Sequence, residues 1–237
     1  MNKISRRTFS STTVSGLASL VALSATSTAE GKQLFSDTSW KLSEFVQLSR
    51  HPAQVKQVYD VSLIADGKFL NSIKNALNGL CFGFHIPKEQ IQIVAALHGP
   101  ANMLNYDDFI WNKFKIGAWL NVMSSSTGEP APGNPFLSAK ATSPMHSDTE
   151  GPNSPTSVYQ DTSILALQHR GVKLLSCHNS AESQARALIA HYNLPLQPED
   201  VVKEMEAHIL PGVLIVPSMV AAIGLLQTSG HYGYIKV

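Results

Sequence analysis

The sequence predicts an α/β fold built on a mainly parallel sheet of five strands with helices on both faces. Short β-rich or apolar runs recur between segments with helical spacing, the pattern of successive βαβ units. Runs such as Val213-Leu214-Ile215-Val216 are apolar throughout rather than alternating, which suits strands buried on both sides. Right-handed crossovers then distribute the helices over the sheet.

Taken in order, a short helical patch around Leu42 to Leu48 falls within a leader or peripheral segment, residues 30–54. Gln57 to Ala65 is the first strand, ending at Asp66-Gly67. Phe69 to Leu80 carries apolar residues at 69, 70, 73, 77 and 80, which is helical spacing. Gln92 to Leu97 is a second strand, stopped by His98-Gly99-Pro100, and one or two helices fit between Asn102 and Leu120. Residues 121–157 are rich in Ser, Thr, Gly and Pro and form an irregular insertion, either a functional flap or a mobile segment. A helix ends at Ser163 to His169, before Gly171. Val172 to Ser176 is the third strand, and helices follow at Ala181 to Tyr192 and Pro198 to His208. Val213 to Val216 is the fourth strand. Met219 to Thr228 is a helix closed by Gly230, and Tyr232 to Val237 is the last strand.

A length of 237 residues suits one or two domains with a real core. Charged residues are 15% of the chain, below the ~25% of an average soluble domain, and this argues against long solvated tails. The formal net charge of +1 argues against a nucleic-acid partner held by counterion release. Two cysteines are too few for a disulfide framework or a four-cysteine zinc site. No apolar run reaches the length of a membrane span.

The first 29 residues read as an export signal. Asn2 to Phe9 is polar and contains the adjacent Arg6 and Arg7, a mildly apolar stretch runs from Val14 to Ala25, and small residues precede a cut near Ala29. Ser5-Arg6-Arg7-Thr8-Phe9 matches the twin-arginine pattern, although Ser10 and Ser11 replace its usual Leu-Lys. The twin-arginine machinery is therefore an expected partner, and the expected location is the periplasm or another extracytoplasmic space. Cleavage removes Lys3, Arg6 and Arg7 from the 18 bases and none of the 17 acids, for a mature net charge of −2.

Chemistry in an open α/β sheet collects beyond the carboxyl ends of the strands. Those ends supply Asp66 with Gly67, His98 with Gly99, Cys177 to Ser180, and Pro217 with Ser218. Cys177 stands between a strand and a helix whose start reads Asn179-Ser180-Ala181-Glu182. Asn179 suits an N-cap there and Glu182 a capping box. A thiol at such a helix start gains thiolate character and can attack sulfur, carry a persulfide or bind a soft metal. The alternative is a small buried hydrophobe. His98 is an acid, a base or a ligand, or else a histidine satisfied by a carbonyl. Cys81 reads as a core residue, and Asp66 first as a turn residue. His178 and Asn179 follow Cys177, and with Gly99 and Ser218 they complete the candidate ligand-binding rim. Met145-His146 adds a ligand only if the insertion folds over that rim. No metal-ligand spacing is present, no cofactor is assigned, and Gly-x-Gly-x-x-Gly, P-loop and Gly-x-Ser-x-Gly motifs are missing, which excludes Rossmann dehydrogenase, NTPase and α/β-hydrolase readings.

Three stretches carry a family resemblance: Gly171-Val172-Lys173-Leu174-Leu175-Ser176-Cys177-His178-Asn179-Ser180; Leu210-Pro211-Gly212-Val213-Leu214-Ile215-Val216-Pro217-Ser218-Met219-Val220; and Leu225-Leu226-Gln227 followed by Gly230-His231-Tyr232-Gly233-Tyr234-Ile235-Lys236. With Ile93 to Pro100, they resemble the DsrE/DsrF-like family of sulfur-relay proteins over residues 55–237, apart from the insertion. The resemblance implies a flavodoxin-like three-layer α/β/α fold and a homo-oligomer, trimer or hexamer. It also implies that Cys177 matches the cysteine that accepts and passes sulfane sulfur; in a sulfur-carrier reading built on that match and on the strand-end cysteine, His98 polarises or orients the sulfur. The alternatives carried beside it are a periplasmic protein binding a small ligand, metal or haem, and a non-catalytic interaction module.

Overall fold

A computed structural model of the chain describes residues 40–138 and 149–237. The export signal and Met145-His146 lie outside the described residues. Helix α1 is Leu42–Ser49, followed by strand β1 (Val55–Val61), α2 (Lys68–Asn78), β2 (Ile91–Leu97), α3 (Asp108–Lys113), α4 (Ile116–Leu120) and α5 (Ile164–His169). Then come β3 (Lys173–Cys177), α6 (His178–Tyr192), α7 (Pro198–Ala207), β4 (Leu214–Val216), α8 (Met219–Thr228) and β5 (Gly233–Lys236). The strands form one sheet in the order β4-β3-β2-β1-β5, and every neighbouring pair is parallel. This is the flavodoxin-like three-layer α/β architecture expected from the alternation of strands and helices.

The period-two alternation of the strands divides the core. Tyr59, Val61, Ile93, Ala95, Leu97 and Leu174 face a large cluster built with α2 to α7. Val58, Val94, Ala96, Leu175, Cys177, Leu214 and Val216 face a smaller cluster built with α1 and α8. Each fully buried aliphatic or aromatic side chain contributes roughly 1.5–3 kcal/mol. Trp111 adds a polar tie, its Nε1 donating to the Met103 carbonyl at 2.9 Å.

Local chemistry sets three of the helix starts. Asp107 accepts from the backbone N–H groups of Phe109 and Ile110 at the start of α3, and Ser163 accepts from Ala166 N at the start of α5. Pro198, Glu199 and Asp200 occupy the first turn of α7, where the ring and the acids suit the helix start. Gly67 precedes α2 with φ 72° and leaves room for Phe136, whose ring carbon would lie 2.5 Å from a Cβ there.

Two expectations shift. β1 ends at Val61 rather than Ala65, because the chain leaves the sheet for a turn in which Ala65 (φ 42°) and Asp66 (φ 55°) are left-handed. Helix α6 begins at His178, three residues early, with Cys177 as its N-cap and no side-chain capping bond. The Asn179–Glu182 capping box therefore does not form: Asn179 is already helical and Glu182 pairs with Arg186 at 2.9 Å. β3 runs into α6 without a loop.

The described parts of the insertion are irregular but tied to the large cluster. Asn134 Nδ2 donates to the carbonyls of Leu104 (3.0 Å) and Tyr106 (3.3 Å). At Gly117 a Cβ would fall 2.2 Å from the Ala131 carbonyl oxygen, so the two segments meet only because Gly117 has none. Cys81 is half-buried against the large cluster while Cys177 belongs to the small one, and both are free thiols. Among the described residues no helix is long and apolar enough to cross a membrane.

Candidate functional site at the carboxyl rim of the sheet

The topology opens a crevice. After β3 the chain turns to α6 on the large-cluster face, and after β4 it turns to α8 on the small-cluster face. Adjacent strands whose connections part to opposite faces leave a gap beyond their carboxyl ends. A cleft of about 550 Å³ lies there, lined by His98, Gly99 and Cys177 together with the starts of α6 and α8 and with Trp119 and Leu120.

Five of the seven residues singled out from sequence line this cleft: His98, Gly99, Cys177, Asn179 and Ser218. Asp66 and His178 do not. Asp66 is exposed in its left-handed turn, where the backbone rather than a ligand explains it. His178, one residue beyond Cys177, turns toward α7. Its Nδ1 lies 2.8 Å from Glu206 Oε1 and its Nε2 lies 3.6 Å from Glu182. The hydrogen bond that His178 donates to Glu206 outweighs burial and raises the His178 pKa above its ordinary value, so the ring is an ion-pair partner of α7.

On the small-cluster face the strand register builds a row that crosses three strands. Asp60 belongs to β1, His98 follows β2, and Cys177 ends β3. Leu97 pairs with Ser176, so one step further along both strands His98 stands opposite Cys177. His98 keeps extended backbone (φ −148°) and its N–H still donates to Val61 O at 3.0 Å, which continues the alternation and turns its ring to the face of Ala96 and Cys177. His98 Nε2 lies 2.6 Å from Asp60 Oδ1. An ionised carboxylate only accepts, so Nε2 carries the proton and Nδ1 is left as the basic nitrogen. Nδ1 has no protein hydrogen-bond partner among the described residues.

Asp60 is itself held from β5. Its Oδ2 accepts from the Tyr234 hydroxyl at 2.6 Å and from Lys236 Nζ at 3.0 Å. Burial pushes the Asp60 carboxyl up, but the hydrogen bonds from Tyr234, His98 and Lys236 outweigh it and hold the group below its ordinary pKa. An ionised Asp60 orients the His98 ring and stabilises positive charge on it.

The opposite face fixes the Cys177 backbone. Asn102 Oδ1 accepts from Cys177 N at 2.9 Å and from Ser176 Oγ at 3.0 Å, and Asn102 Nδ2 donates to the Tyr106 hydroxyl at 3.2 Å. Gly99 is clamped to α6, since its N–H donates to Ser180 Oγ at 3.0 Å and its carbonyl accepts from Gln184 Nε2. Its φ is 52°, and a Cβ would sit 3.0 Å from Ser62 O, so the turn calls for glycine. Cys177 is only 4% exposed and packs in the small apolar cluster, as the buried-hydrophobe alternative expects, while it also lines the cleft.

Sequence reasoning missed Asp60, Tyr234, Lys236 and Asn102. A carboxylate inside a buried strand needs partners, which is a readable signal for Asp60. Tyr234 and Lys236 join it only because β5 pairs with β1 across the whole length of the chain. Among the described residues no group of three or more His, Cys, Asp or Glu side chains is arranged to hold a metal ion. Comparison of the chain with protein-family models, with curated proteins and with solved structures finds no match.

Proposed function

We propose that the protein accepts and passes a sulfane sulfur on Cys177, working outside the cytoplasm after twin-arginine export. The observation that carries this is the Asp60–His98–Cys177 row at the crevice: carboxylate, imidazole and thiol on three adjacent strands, facing one side. His98 Nδ1 makes no hydrogen bond to the Cys177 thiol in this structure. It approaches as the donor enters and takes the Cys177 proton, and the thiolate attacks the outer sulfur of a persulfide R–S–SH. A Cys177 S–S bond forms, the R–S to sulfur bond breaks, and its electron pair leaves with R–S⁻, which receives the proton from His98. The balance is Cys–SH + R–S–SH → Cys–S–SH + R–SH, with no net oxidation.

Intact-mass measurement after exposure to a persulfide tests it. One added sulfur atom is expected on the wild type and none on Cys177→Ser, and His98→Ala should load about a hundredfold more slowly. Uptake that survives Cys177→Ser, or a wild type that takes up none, overturns the proposal. A second reading, a small-ligand-binding protein, is favoured by the size of the cleft; a bound small molecule in natively purified protein that Cys177→Ser retains would favour it instead.

A further inference from the structure

We propose that sulfur reaches Cys177 on an organic carrier with an uncharged, amide-bearing body rather than as a free sulfur oxyanion; this rests on the sulfur-relay reading. Apart from His98 and Cys177, every described side chain that lines the cleft is neutral. Trp119, Leu120, Ala187, Met219 and Val220 give it a largely apolar wall. A thiosulfate dianion exchanges its hydration for charged partners such as an Arg or Lys fork, and this wall supplies none among the described residues. The nearby Lys236 is committed to Asp60 at 3.0 Å. A cleft of about 550 Å³ also holds a ligand far larger than a five-atom oxyanion.

Gln184 gives the body its polar handle. It lines the cleft while 6% exposed, and its Nε2 is committed to the Gly99 carbonyl. Its Oε1 has no hydrogen-bond partner among the described residues and is sealed from solvent, so a turn of the amide toward the cleft lets an incoming N–H satisfy it. Ser218 also lines the cleft and makes no side-chain capping bond, so among the described residues its hydroxyl is a second polar group for the same ligand. The starts of α6 and α8 favour negative charge. In the step above that charge develops on the leaving R–S⁻, so the helix ends aid transfer without requiring an anionic body.

The test compares three donors on the full chain by the rate at which Cys177 gains one sulfur atom: the persulfide of N-acetylcysteinamide, the persulfide of N-acetylcysteine, and thiosulfate. The first two share their reactive sulfur and differ by an amide against a carboxylate. The amide donor is expected to load about tenfold faster than the carboxylate donor, with thiosulfate slowest. Gln184→Leu should shrink the amide advantage. Val220→Lys, a change at a position 76% exposed, should speed loading by the carboxylate donor and by thiosulfate. Equal loading by all three donors, or ratios unmoved by both variants, overturns the proposed carrier while leaving sulfur uptake intact. No loading from any donor overturns the sulfur-relay reading and this inference with it.

Discussion

The two faces of the sheet bury polar groups in different ways at the same rim. On the large-cluster face Asn102, Asn105, Tyr106 and Ser176 make a neutral network with almost no exposure. Burial pushes the Tyr106 hydroxyl well above its ordinary pKa, so it stays protonated. On the small-cluster face Asp60, His98 and Cys177 combine a charge, a titratable ring and a thiol beside an open cleft. The neutral groups of the large-cluster face bond one another and the strand backbone and hold it in place, with only Asn105 Oδ1 among them left without a partner among the described residues. A depressed carboxylate beside an imidazole is arranged for proton movement.

Asn102→Leu should break the neutral side most severely. It leaves Cys177 N–H and the Ser176 hydroxyl buried without their acceptor, and a loss of roughly 4 kcal/mol in denaturant unfolding is expected. A loss near zero would mean that the network is dispensable. Asp60→Asn strikes the charged side and should cost roughly 2 kcal/mol at neutral pH, through weakened bonds to His98, Tyr234 and Lys236. Because the folded Asp60 pKa is depressed, its contribution is complete above about pH 4 and is lost as pH falls through the folded value. The wild-type unfolding midpoint should therefore drop on acidification, and the Asp60→Asn midpoint should drop less.

His178 sharpens the contrast, being adjacent to Cys177 in sequence but committed to the other face. Its raised pKa means that the pair with Glu206 stabilises fully below about pH 6.5 and fades as pH rises through the folded value. Glu206→Gln should cost about 1 kcal/mol at pH 6 and nothing at pH 9, with sulfur uptake unchanged. The smallest effect is expected at the other thiol. Cys81→Ser should change stability by less than about 1 kcal/mol and leave sulfur loading at its wild-type rate, as intact mass would record.

The positions of the strands and helices were legible in the sequence because each segment's hydrophobic period is a local property. Val213 to Val216, the spacing of 69, 70, 73 and 77, and the Pro198 start each carried their own signal. The start of α6 was misread because Asn179 and Glu182 satisfy a local capping rule, while the real boundary is set by β3 running straight into the helix at Cys177. Asp66 is the turn residue that its place before Gly67 predicts, and its second reading, as part of a ligand rim, is the one with no counterpart in the cleft lining. Its place after a strand suggested the rim, but the left-handed turn takes it away from the cleft.

Composition and periodicity, both properties of neighbouring residues, determined the α/β class, the parallel sheet and the strand ends on which chemistry would gather. Which ends share one cleft depended on the order β4-β3-β2-β1-β5. That order sends α6 and α8 to opposite faces and brings β5 beside β1. The partners of Asp60 come from 38 positions away at His98, 174 at Tyr234 and 176 at Lys236. No local pattern encodes such pairings; they arise when the buried faces of distant strands are matched during folding, and only the tertiary structure decides them.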